Sequence, residues 1–180
     1  MKLVPTASQT VGPYFRIGLD HLTSAATNAE AKSVTVCGCV LDGERKPVSD
    51  ALLELWQADA SGSSPNPDVS GRPAGFVRAA TDHAGRFSCD ISRPAAVPFP
   101  DGQLQAPHLV VLLFARGLMR HLITRMYFPE ETANDADPVL QSIAEERRAT
   151  LIARRQSVSP EILEWDIVLQ GKDETVFFAW

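Results

Sequence analysis

HLVVLLFA (108–115) and LMRHLITRMYF (118–128), joined by Arg116-Gly117, decide the fold. The first run is apolar on both faces, so it belongs in the middle of a sheet covered by a second layer. The short glycine-containing link lets the second run return as an antiparallel partner, which predicts a hairpin. Upstream, VTVCGCVL (34–41), ALLELWQA (51–58), FVRAAT (76–81) and RFSCDIS (86–92) are short runs rich in β-branched and apolar residues, separated by DGERKP (42–47) and DHAG (82–85). Gly supplies positive φ in such links and Pro47 ends pairing, so these read as strands and tight turns. Downstream, Asp137 is placed to cap a helix near 138–156. Pro138 fits its first turn, and Leu140, Ile143, Ala144 and Leu151 approximate one apolar face. LEWDIVLQ (163–170) and TVFFAW (175–180) read as two closing strands.

The expected fold is therefore all-β, a two-layer antiparallel β-sandwich of about eight strands with one inserted helix. Residues 34–180 form one sandwich domain in this reading, and residues 1–33 an amino-terminal arm packed on a partner or on its own domain. Residues 1–33, 58–75 and 93–107 are long irregular pieces, where chemistry tends to gather.

Composition narrows the classes. At 180 residues and 44% hydrophobic, the chain is large enough for one self-sufficient core. Its longest apolar run, 109–115, is far short of the roughly 20 residues that span a bilayer, so no membrane helix is expected. Lys2 is followed only by Leu3 and Val4 before Pro5, which does not read as a secretory signal, and a cytoplasmic location is expected. A net charge of -5 argues against nucleic acid. The arginine pairs at 147–148 and 154–155 read as solvated helix faces. Cys37, Cys39 and Cys89 are odd in number, and the Cys37-Gly38-Cys39 spacing is too short for half a zinc site, so small buried thiols are expected.

CGCVLDGERKPVSDALLELWQADASG (37–62) and TDHAGRFSCDI (81–91) resemble the front half of the intradiol ring-cleavage dioxygenases. SQTVGPYF (8–15), APHLVVLLFARG (106–117), TRMYF (124–128) and WDIVLQGKDETVFF (165–178) extend the likeness over nearly the whole chain, to the α-subunit branch of that family. The resemblance implies a prealbumin-like sandwich. It also implies that catalytic members hold a ferric ion with two tyrosinates and two histidines, donors suited to hard, high-valent iron.

Each ligand is tested against the residues. Loop 58–75 contains no tyrosine; RPAAVPFPDGQLQAP (93–107) places Val97 or Phe99 where the second phenolate would stand; and the H-x-H pair is reduced to His108 followed by Val110. A site of this type needs about four converging donors, so no metal is expected on this chain. His108 reads as a hydrogen-bonded strand residue and Tyr14 and Tyr127 as packing, while His21, His83 and His121 have no ligand-spaced neighbours.

By the same resemblance, Fe(III) resides on a β subunit, and this chain lines that subunit's substrate cleft through Thr10, Gly12, Pro13 and Arg116. Arg116 and Thr10 suit a ring carboxylate, and Gly12 and Pro13 suit a close, fixed approach of backbone. The implied partners are an iron-bearing β subunit, 3,4-dihydroxybenzoate and O2, and the chain alone is expected to be inactive. Two alternatives stand beside this: a non-catalytic prealbumin-like binding or scaffold module, and a self-sufficient iron-bearing dioxygenase with ligands from unexpected positions.

Overall fold

A computed structural model of the chain describes residues 4–19, 33–58, 62, 75–99 and 101–179. Most of loop 58–75, the arm beyond residue 19 with His21, and Trp180 lie outside them. The elements run α1 (Pro13–Leu19), β1 (Ser33–Leu41), β2 (Leu52–Gln57), β3 (Phe76–Ala80), β4 (Arg86–Ser92), β5 (Val97–Pro98) and β6 (Leu104–Gln105). They continue with β7 (His108–Phe114), β8 (Leu122–Tyr127), α2 (Pro138–Gln141), α3 (Glu145–Arg148), β9 (Arg154–Arg155), β10 (Ile162–Glu164) and β11 (Ile167–Val168).

Two sheets make the sandwich. One has the order β3-β2-β7-β8, so β7 is internal, as its apolar sequence requires, and β7 and β8 form the expected hairpin. In the other, β1 pairs antiparallel with β4 along one side; on its other side it pairs parallel with β10 and then with β11. Alternation along the strands sends one side chain in two inward. Val34, Val36, Phe87 and Ile91 of one sheet meet Leu53, Leu55, Val77, Leu109, Val111 and Leu113 of the other in a single buried cluster.

The expected strands from 34 to 92 and at 108–115 appear, but the helix near 138–156 does not form as one piece. Asp137 does cap α2, accepting from the Val139 and Leu140 amides, with Pro138 in its first turn. The helix then stops: the Ser142 hydroxyl donates back to the Val139 carbonyl, and Ala144 is extended (φ -53, ψ 133) before α3 restarts. Arg154 and Arg155 lie on β9, not on a helix face.

Other expectations also shift. LEWDIVLQ is broken at Trp165-Asp166 into β10 and β11, TVFFAW contributes only an isolated bridge from Phe178 to Ile123, and pairing in the second half of the hairpin begins at Leu122. The irregular piece 93–107 contains the short β5–β6 pair, and the arm contains α1. Cys89 is buried, but Cys37 and Cys39 are only half-buried, because they face outward from β1. Tyr14 is 82% exposed and so is not a packing residue, whereas Tyr127 is fully buried. Among the described residues, no helix is long and apolar enough to cross a membrane.

Candidate functional site

Two regions carry the residues singled out by the sequence. The first is the open end of the β7–β8 hairpin. Gly117 turns the chain with φ 86, and its amide donates to the Thr10 hydroxyl oxygen at 2.8 Å. The Phe15 ring of α1 packs on Phe114, with centroids 5.2 Å apart. Leu52, in register with Phe114 and on the face opposite the core residues Leu53 and Leu55, is fully buried. The arm thus lies across the outer face of the sheet beside Arg116.

Sequence reasoning placed Thr10, Gly12, Pro13 and Arg116 together, and the geometry brings Thr10 against the Arg116-Gly117 turn. Gly12 follows two residues later with open space where a Cβ would lie, and its carbonyl accepts from the Phe15 amide at 3.0 Å as Pro13 opens α1. Thr10 is a latch between arm and turn: its oxygen accepts from the Gly117 amide, while its hydroxyl donates to the adjacent Val11 carbonyl at 3.4 Å. Arg116 has a side chain 62% exposed and pairs with Asp50, a residue that sequence reading did not single out. Extending the antiparallel register of 51–58 against 108–115 outward would have found it. Beside this turn, a groove of about 680 Å³ is lined by Gln9, Val11, Phe114, Leu118, His121 and Phe178.

The second region surrounds His108. Its Nδ1 meets the Ala106 carbonyl at 2.7 Å, and its ring stacks against Tyr127, the residue opposite it on β8. Val110, the next residue on that face, is opposite Arg125. The Arg125 guanidinium donates to the Gln105 side chain at 2.8 Å and to the Tyr127 hydroxyl at 3.2 Å. Tyr127 in turn donates to Asp137 at 3.1 Å, and the other Asp137 oxygen accepts from the Ala106 amide at 2.8 Å. Asp137 is fully buried, and each of its oxygens is used.

The family then follows from comparison. Residues 12–171 match the family model described as Dioxygenase. The chain belongs to the intradiol ring-cleavage dioxygenase family. It is 39% identical to the protocatechuate 3,4-dioxygenase alpha chain of Burkholderia cepacia, with 98% of each chain covered. To the beta chain from the same organism it is 34% identical, over 87% of this chain and 74% of that one. Among solved structures, 3-chlorocatechol 1,2-dioxygenase from Rhodococcus opacus 1CP matches with a TM-score of 0.66 at 20% identity, covering 92% of this chain and 67% of that one. That likeness supports the sandwich fold.

The iron of the family's catalytic members does not fit the donors present among the described residues. Val97 is in register with Gln105, and Val110 with Arg125, so the cross-strand neighbours of these two valines are joined by a guanidinium–amide hydrogen bond. A fixed cation there repels a metal cation. Burial pushes the Tyr127 phenol up, against the opposing pull of Arg125, so it stays protonated and is a poor tyrosinate. Among the described residues, no three His, Cys, Asp or Glu side chains converge on a common point.

Burial, reinforced by Arg125, lowers His108 from 6.5 to about 4, which keeps the ring neutral in the fold. Above pH 6.5 both folded and unfolded chains hold it neutral, and its contribution to stability is fully present. As pH falls from 6.5 toward 4, the unfolded chain takes up the proton first and stability is lost. The loss at pH 5 is expected to be about 2 kcal/mol. Urea denaturation at pH 7 and pH 5 should show this difference, and His108→Gln should remove most of it.

Proposed function

We propose that this chain is the metal-free α subunit of a heteromeric protocatechuate 3,4-dioxygenase. In this reading its arm and its Arg116 turn line the substrate cleft of an iron-bearing β subunit. The assembly cleaves 3,4-dihydroxybenzoate with O2 between the two hydroxyl-bearing carbons, giving 3-carboxy-cis,cis-muconate. The near end-to-end identity with a named alpha chain carries the reading. The Arg125 guanidinium and the protonated Tyr127 phenol beside His108 support it, because both disfavour a metal cation there.

Within that assembly the share of this chain is binding and orientation. An aromatic carboxylate leaving water needs a charged donor, and Arg116, exposed at the end of the hairpin, supplies one. Thr10 and Gly117 hold the arm against that turn, so that Gly12 and Pro13 present backbone beside it. Holding the ring carboxylate is a contribution to binding, which lowers KM and leaves the bond-breaking step to the iron-bearing subunit.

Co-expression tests the reading. A β homologue with both loop tyrosines and an intact H-x-H, produced together with this chain, is expected to co-purify with it, carry the iron and open the ring of 3,4-dihydroxybenzoate. This chain alone is expected to carry no iron and to open no ring. Stoichiometric iron with turnover in the isolated chain would overturn the assignment; a stable chain indifferent to the β homologue would favour the scaffold alternative.

A further inference from the structure

We propose that Asp50 is the positioning residue for Arg116, anchoring its guanidinium by charge at the hairpin end where it would meet a substrate carboxylate. The proposal rests on the function just proposed and deepens it. Leu52 pairs with Phe114 in the antiparallel register, so two residues further out Asp50 stands directly opposite Arg116 on the same outer face. Asp50 and Arg116 form an ion pair, and since Asp50 Oδ2 accepts no hydrogen bond, the pair is held by charge; among the described residues Asp50 is the only polar partner of Arg116. The two side chains are unequal: Asp50 is 17% exposed and Arg116 is 62% exposed. The short, shielded carboxylate is the anchor, and the long guanidinium is the part that reaches out.

Guanidinium chemistry makes this arrangement useful. Its five N–H donors lie in one plane, and an ion pair that takes up none of them as a hydrogen bond leaves them available to a bidentate, coplanar carboxylate. A free arginine at a hairpin end loses rotamer freedom when it binds, and one already drawn to a neighbouring carboxylate loses less. Asp50 also offsets the charge of Arg116, so its effect is a balance: it lowers the attraction for an anion in general and raises the affinity for a carboxylate in one geometry. The proposal is that geometry wins.

The test uses the complex with its iron-bearing β subunit. Binding of 3,4-dihydroxybenzoate and of 4-methylcatechol, which lacks the carboxylate, is measured calorimetrically without O2, and KM and kcat are measured with O2. Asp50→Asn is expected to weaken binding and raise KM for 3,4-dihydroxybenzoate about five- to tenfold. Its kcat should stay within about twofold, and 4-methylcatechol binding should be unchanged. In an Arg116→Ala background, Asp50→Asn should add nothing. An Arg116→Ala complex that binds 3,4-dihydroxybenzoate normally would sink the proposed cleft role of this chain. A normal Arg116 effect would overturn only the Asp50 assignment if accompanied by any of three results: Asp50→Asn binds the carboxylate ligand unchanged or more tightly, weakens both ligands alike, or still acts in the Arg116→Ala background. Should Asp50→Asn not assemble, Arg116→Lys decides: a single ammonium cannot stay paired with Asp50 and also present a planar two-donor edge, so it should bind nearly as weakly as Arg116→Ala, and full affinity would refute the positioning argument.

Discussion

Replacing Arg116 by alanine in the assembled enzyme is expected to raise KM for 3,4-dihydroxybenzoate about 100-fold, with kcat changed far less. The magnitude is that of a charge-assisted, bidentate hydrogen bond to a carboxylate that has left bulk water. The split between the two constants follows from location. A contact to the ring carboxylate is made equally before and during bond breaking, so its loss appears as binding. Stability should move little, because the side chain is largely exposed and its ion pair with Asp50 sits at the surface, worth at most about 1 kcal/mol. Steady-state kinetics on wild-type and variant complexes, with thermal melts beside them, checks both halves. An unchanged KM would remove Arg116 from the cleft.

Such a contact was legible in the sequence only through family likeness, since a Leu-rich strand ending in Arg-Gly otherwise reads as an ordinary turn. The strands were legible for a local reason: period-two alternation and apolar runs such as HLVVLLF are written in consecutive residues. The cap of α2 was legible in the same way, from Asp137-Pro138. What escaped depends on residues distant in the chain. Nothing near Asp50 announces Arg116, because their meeting requires the register between β2 and β7. Nothing near Arg125 announces its bond to the Gln105 side chain, because the two residues, 20 apart, meet only once β7 and β8 are paired. The continuous helix failed because the apolar spacing of Leu140, Ile143, Ala144 and Leu151 ignores Ser142, whose hydroxyl competes for the Val139 carbonyl.

Gly38→Ala is expected to destabilise the chain by about 4 kcal/mol or more, the largest stability effect of any substitution considered. A Cβ at this position would stand 1.8 Å from the Trp165 carbonyl oxygen and 2.6 Å from its carbon, with the Phe87 ring 3.1 Å away. No rotamer relieves a clash with backbone, so Trp165 itself must move. It is held there by its amide donating to the Cys37 carbonyl at 2.8 Å and by its indole donating to the Thr150 carbonyl at 3.0 Å, with the ring only 3% exposed. Next to it, the Asp166 carboxylate accepts from the Cys39 amide at 2.9 Å, taking the place of the ladder bond interrupted between β10 and β11. The Cys37-Gly38-Cys39 motif is thereby explained without a metal: its middle residue lets one strand pass from β10 to β11 against β1, and the flanking thiols are incidental to that requirement. Urea denaturation measures the effect, with Gly18→Ala as the control, since Gly18 lies on α1 with open space at its Cβ position and alanine favours a helix. A Gly38→Ala chain as stable as the Gly18→Ala one would mean that the backbone does not cross β1 at Gly38.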